Sequence, residues 1–226
     1  LNPILLEKDL FGSLYFLHYQ PPIWNLIYGI MLKIFGTNYE ILSICLHFFN
    51  IFLSFIIIYY FFLICEFFKL KSKKIYITYS IFFIFSISFL FYETYLHYTH
   101  LTLLLFAQLT YLYLKFSRNK NFINEILIYF TALILVYTWT AFSHPLFILV
   151  IFSGIFLIKF KKNLFRSFII FIFFAFLATL SSLKNKIEFN FFVNSTWIGI
   201  QIVHVLSFGD NWDYYSRCDF CVCGIC

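Results

Sequence analysis

The stretch EILSICLHFFNIFLSFIIIYYFFLICEFF, residues 40–68, carries charge only at Glu40 and Glu66 and is otherwise almost wholly apolar. About 20 such residues suffice for a helix to cross the hydrocarbon core of a bilayer, so this run is long enough to span it. Further apolar runs lie at 75–92, 95–116, 124–142, 145–160 and 167–183, with a shorter one at 22–36 and a weaker one at 196–208. The expected fold class is all-α: a polytopic integral membrane helix bundle, with about six spanning helices and one short interfacial or re-entrant helix. Three regions follow: an outer-side loop with a Pro-Pro helix at 1–39, the bundle at 40–183, and an outer-side segment with a Cys-rich tail at 184–226.

Composition points the same way. Of the 226 residues, 62% are apolar and 12% charged, where a soluble domain carries about 25% charged. With 16 Lys+Arg and 10 Asp+Glu there is no polar shell for a soluble globule that must also place 36 Phe and 17 Tyr. An AT-rich coding sequence also enriches Phe, Ile, Tyr, Asn and Lys, so part of the aromatic content need carry no function. The chain opens at Leu1 without a methionine or a signal pattern, which reads as a fragment. The net charge of +6 would suggest nucleic acid in a soluble domain, but here the cations sit between apolar runs and no nucleic-acid partner is expected.

Those cations fix an orientation. Lys69, Lys71, Lys73 and Lys74 form one cluster; Lys115, Arg118 and Lys120 a second; Lys159, Lys161, Lys162 and Arg166 a third. The positive-inside rule places these three alternate loops in the cytoplasm. The run 22–36 carries Lys33 and is too short to span comfortably; letting it span would scramble the clusters, so it is expected to enter and leave on the outer side. Pro22 suits the start of such a helix because its missing N–H would be unpaired there in any case. The outer, or luminal, side then receives Glu7, Asp9, His18, Gln20, Glu93, His97, His100, His144, Lys184, Lys186 and Glu188.

The segment LHYQPPIWNLIYGIMLKIFG, residues 17–36, is the most specific feature, followed by FYETYLHYTH at 91–100, SHPLFILV at 143–150, and Lys184-Asn185 ahead of NSTWIGIQI at 194–202. An outer loop with acidic and aromatic residues, a Pro-Pro that starts a short helix, then a full span, resembles the membrane-embedded C-type glycosyltransferases, in particular the protein O-mannosyltransferase and aminoarabinose-transferase branch. The resemblance covers about residues 1–205. It implies transfer of a sugar from a polyprenyl-phosphate carrier to an acceptor on the outer side, with inversion at the anomeric carbon. Such chemistry needs a carboxylate to take the acceptor's proton and donors or cations for the departing phosphate. Metal use varies in the superfamily, so no metal or other cofactor is assigned.

Two departures bear on the site. The first spanning helix, after which the family's acidic pair lies, is absent here, so the base lies upstream of Leu1 or is one of Glu7 and Asp9; a solvated acidic loop is the alternative. The position before Pro-Pro, often basic in the family, is Gln20, with His18 the nearest titratable group; both are candidate phosphate contacts, against simple loop packing. Glu93, His97 and His100 are spaced to share a helix face. That face suits catalysis by Glu93, a proton relay or a divalent ion, or else polar residues beside Tyr92, Tyr95 and Tyr98 at the interface.

His144 precedes a helix start that would favour an anion. Lys184 and Lys186 run against the charge trend and need a partner, a phosphate or Glu188. The tail CDFCVCGIC, 218–226, has soft-metal spacing on little scaffold, with truncation, a frameshifted end or lipidation weighing more; Cys45 and Cys65 read as inert. Asn194-Ser195-Thr196 is a glycosylation sequon if the source is eukaryotic. The rivals are a transporter or channel subunit and an inactive truncated product. A transporter favours a midplane site in a repeated half, whereas here the polar groups collect at one interface and no repeat is visible.

Overall fold

Capping chemistry sets the helix boundaries. The computed structural model describes residues 3–16, 22–36, 38–69, 74, 77–78, 81, 98–139, 146–159 and 164–190. They form α1 (Pro3–Lys8), α2 (Leu10–Tyr15), α3 (Pro22–Phe35), α4 (Tyr39–Phe67), α5 (Thr99–Arg118), α6 (Phe122–Val136), α7 (Leu146–Lys159) and α8 (Leu164–Phe189), with no strand among the described residues. Asp9 caps α2 by accepting from the Gly12 N–H at 3.0 Å. Asn38 caps α4 through the Glu40 N–H at 3.2 Å, and Asn121 caps α6 through the Ile123 N–H at 3.2 Å. Gly36 closes α3 at φ 68°, a left-handed conformation, with its N–H on the Leu32 carbonyl at 2.8 Å.

The apolar runs and the helices largely coincide, with differences ahead of Pro22 and at the ends of α6 and α8. The stretch expected as an outer loop ahead of Pro22 contains α1 and α2, which pack on α3 through Leu6, Leu10 and Leu32. The last helix does not stop at Leu183, where the hydropathy falls, but continues to Phe189, because Lys184, Lys186 and Glu188 are good helix formers and no breaker intervenes. The runs at 196–208 and nearly all of 75–92, with the sequon and the Cys-rich tail, lie outside the described residues.

Contacts along the helices give their directions. Tyr60 meets Tyr111 with ring centroids 5.8 Å apart, and Arg118 reaches the Phe67 carbonyl, so α4 and α5 run parallel. Helices α6 and α8 also run together: Arg166 lies 3.9 Å from Glu125, Phe174 stacks on Tyr129 at 5.5 Å, and the Tyr137 hydroxyl donates to the Leu177 carbonyl at 2.6 Å. Helix α6 turns back along α5, as the Tyr98–Trp139 ring contact at 6.3 Å confirms. The bundle therefore has two poles. One gathers Lys69, Lys115, Arg118, Lys120 and Arg166; the other gathers the start of α5 and the ends of α6 and α8.

Helix α3 belongs to the second pole at both ends. Its Ile23 N–H donates to the Tyr137 carbonyl at the end of α6 (3.0 Å), and its far end passes through Gly36 directly into the start of α4. Ile23, Trp24 and Ile27 pack on the main core, which centres on Phe116, Ile128, Tyr129, Leu135, Ile148, Ile155 and Phe174.

Among the described residues two helices, Glu40–Phe67 and Leu164–Phe189, are long and apolar enough to cross a membrane. Both carry large apolar side chains on an exposed face, where a soluble helix exposes mainly polar groups. Helix α8 buries Ser167, Phe174, Ala178, Ser182 and Asn185, and exposes Phe165, Phe168, Ile172, Phe176 and Ile187. Helix α4 buries Asn50 and Ser54 among Leu42, Leu46, Leu53, Ile57 and Cys65, and exposes Phe48, Phe52, Phe55, Tyr59 and Phe62.

Two tyrosines on facing helices test this packing. The Tyr113 hydroxyl donates to the Ile151 carbonyl at 2.7 Å, and Gly154 makes room for it, since a Cβ there would lie 3.0 Å from the same oxygen. The Tyr129 hydroxyl is buried with no protein partner among the described residues. Tyr113→Phe is expected to cost about 1 kcal/mol of unfolding free energy, whereas Tyr129→Phe should leave stability unchanged or raise it. Chemical or thermal unfolding of the two variants checks the difference in sign; equal losses would contradict the assignment.

Candidate functional site

The second pole is where the sequence places its reactive groups, and the structure locates part of that set. His100 is buried in the first turn of α5, beside the Tyr98 ring that meets Trp139. By the register that pairs Tyr60 with Tyr111, the buried amide of Asn50 on α4 lies level with the first turn of α5. Asn185 and Ser182 are buried at the end of α8, and Asn25 in the first turn of α3. This pole thus buries three amides and an imidazole among apolar side chains.

At its rim, α2 is clasped to α8. The Tyr15 hydroxyl donates to Glu188 Oε1 at 2.6 Å, and Lys184 Nζ donates to the Tyr15 carbonyl at 2.7 Å. The Lys184 ammonium also lies 5.8 Å from the Tyr15 ring centroid and 5.9 Å from that of Phe189. The hydrogen bond to the Glu188 carboxylate favours the neutral phenol and holds the Tyr15 pKa above its ordinary value. Lys184 and Glu188 therefore stand one helical turn apart with Tyr15 between them, and the partner that Lys184 needed includes protein groups. Lys186 points elsewhere, to the carbonyl and Oδ1 of Asn190 at 3.2 and 2.9 Å.

Asp9 and Glu7 lie on the α1–α2 hairpin. One Asp9 oxygen is engaged in capping α2, and Glu7 is half-buried. His18, Gln20, Glu93, His97 and His144 lie outside the described residues. Among the described residues no three His, Cys, Asp or Glu side chains converge as metal ligands. Cys65 is buried and Cys45 half-buried, both as free thiols.

Compared with known proteins, the chain matches no family model, no curated protein and no solved structure.

The structure adds polar residues that sequence reasoning passed over. Asn50 is a lone amide in a long apolar run, and such a residue is costly in lipid unless it faces the bundle interior. That cost was the available signal. Tyr15 gave none, because its role depends on Glu188, 173 residues away. Glu125 is fully buried at the opposite pole, with Arg166 of α8 beside it.

Proposed function

We propose that the chain is a multi-pass membrane bundle whose second pole faces the outer or luminal side and there moves a sugar from a polyprenyl-phosphate carrier to an acceptor. The observation that carries this reading is the placement of α3. Both ends of the Pro-Pro helix lie at one pole, where His100, Lys184 and Glu188 also lie. The large apolar side chains exposed along α4 and α8 support lipid as the solvent around the bundle. Short basic loops at the first pole support its cytoplasmic location.

In the reaction, the acceptor's oxygen attacks the anomeric carbon, the bond from that carbon to the carrier phosphate breaks, and a carboxylate takes the acceptor's proton. Glu7, Asp9 and Glu93 are the carboxylates proposed for that role. His18, Gln20, His97, His100, His144, Lys184 and Lys186 are proposed to hold the sugar phosphate, whose charge needs donors as it departs. The isoprenoid tail lies along the exposed apolar faces. No metal or cofactor is assigned.

The test is reconstitution into phosphatidylcholine vesicles, followed by incubation with polyprenyl-phosphate mannose or polyprenyl-phosphate aminoarabinose labelled in the sugar. Saturable carrier binding and sugar transfer are expected. Failure to bind either carrier, together with flux of a small solute across the vesicle wall, would replace the enzyme by a transporter.

A further inference from the structure

At the first pole, α4 and α5 end side by side, and the seam between them has features that the sugar-transfer reading does not use. Tyr60 and Tyr111 are in ring contact there, and Lys115, one turn on, holds its ammonium 5.9 Å from the Tyr111 centroid. The Arg118 guanidinium lies 3.6 Å from the Phe67 centroid and donates to the Phe67 carbonyl at the end of α4. Lys69, held at φ 58° just past that helix, is exposed, as are Lys115 and Phe68.

Two helix C-termini at one place would ordinarily repel an anion, because their last carbonyls carry partial negative charge. Arg118 offsets this at α4 by occupying a terminal carbonyl, and the Lys69 N–H takes the Glu66 carbonyl at 2.9 Å. Lys69 and Lys115 are then surplus cations, with Lys120 following α5; the exposed carboxylate of Glu66 is the acid on this side of α4. Glu125, the acid of the neighbouring α6, faces Arg166 instead. Cations flanked by tyrosine and phenylalanine, at the end of an exposed apolar face, match an acidic lipid headgroup with its acyl chains alongside.

We propose that the α4–α5 seam at the basic pole is a binding site for an anionic glycerophospholipid headgroup, held by Lys69 and Lys115 over a floor of Arg118, Phe67 and Tyr111. The acyl chains follow the exposed stripe of α4 toward Phe55. This rests on the membrane reading given above, and goes beyond it in naming a structural lipid at the pole opposite the transfer site.

The full chain in phosphatidylcholine nanodiscs, with and without phosphatidylglycerol, provides the test. Phosphatidylglycerol should raise the unfolding temperature and should be retained through purification in preference to phosphatidylcholine. Each surface cation near an anionic lipid contributes enough for a several-fold preference, so Lys69→Gln with Lys115→Gln should lower the retained ratio by about tenfold. Both residues are exposed, so the double variant is expected to fold. Lys8→Gln with Lys33→Gln, which removes two cations away from the seam, should leave the ratio unchanged. Inorganic phosphate should not displace the lipid.

A chain that enters phosphatidylcholine bilayers but shows no preference for phosphatidylglycerol overturns the lipid site and leaves the sugar-transfer reading standing. The same holds if both double variants lose equally, since a general charge effect would then explain the result. A chain that does not enter phosphatidylcholine bilayers overturns the membrane reading itself.

Discussion

Arg166→Ala is expected to lower the unfolding free energy by about 1–2 kcal/mol, between the cost of breaking an exposed ion pair and that of breaking a buried one. Glu125 is fully buried in the first turn of α6, where the helix dipole favours a carboxylate but does not replace a counter-charge. One counter-charge is the Arg166 guanidinium at 3.9 Å, which also covers the Phe122 ring at 4.6 Å from the centroid. Removing Arg166 takes a counter-charge from a buried carboxylate and strips the ring of its cover. The value lies between the two because the Arg166 side chain is 42% exposed and is partly solvated already.

Two companion variants separate charge from packing. Glu125→Gln in the Arg166→Ala background removes the carboxylate that has lost this counter-charge and should recover part of the loss. Arg166→Lys keeps the charge but not the planar group that lies over Phe122, and should fall between wild type and Arg166→Ala. Unfolding followed by circular dichroism in the same lipid mixture measures all three. A loss of less than about 0.5 kcal/mol for Arg166→Ala would place the pair among surface ion pairs that contribute little.

This pair also marks the limit of what the sequence discloses. Periodicity and hydropathy locate α3 to within a residue, because Pro22 and Gly36 punctuate it, and they locate α4, α5 and α7 nearly as well, because charged clusters or prolines flank the apolar runs. Helix α6 ends at Val136, earlier than the run expected to reach residue 142, since the composition stays apolar past the point where the backbone leaves the helix. Helix α8 errs in the opposite direction, for hydropathy reports solvent preference and not backbone conformation. Glu125 reads in one dimension as an ordinary acid near a helix start, and only the approach of α8, 41 positions later by Arg166, shows that it is buried.

The candidate site was legible as an inventory more than as an arrangement. The charge rule sorted His100, Lys184 and Glu188 onto one side, and the described helices bring all three to one pole. The clasp of Tyr15 with Lys184 and Glu188 was not legible, because pairing between exposed polar residues depends on how an N-terminal hairpin folds over a C-terminal helix. Nor was the division of labour between the two lysines, which follows from the turn at Asn190, where φ is 64°.

Three carboxylates remain as candidates for the base, and the fold determines which substitutions can distinguish them. Asp9→Ala would be ambiguous, because it removes both a charge and the cap that accepts from Gly12 N–H. Asp9→Asn keeps the cap, asparagine being as good at that position, and so changes the proton acceptor alone. Glu7→Gln and Glu93→Gln are isosteric in the same sense. General-base catalysis contributes about 10²–10⁴ in rate. On the sugar-transfer reading, Glu93→Gln should therefore reduce turnover at least a hundredfold with expression and carrier binding retained, while Asp9→Asn and Glu7→Gln should each cost less than tenfold. If Asp9→Asn shows the large loss instead, the α1–α2 hairpin supplies the base and its clasp onto α8 becomes part of the catalytic geometry. If all three amides turn over like wild type, none of these carboxylates takes the proton, and the proposed chemistry has no acceptor for it among the residues assigned here.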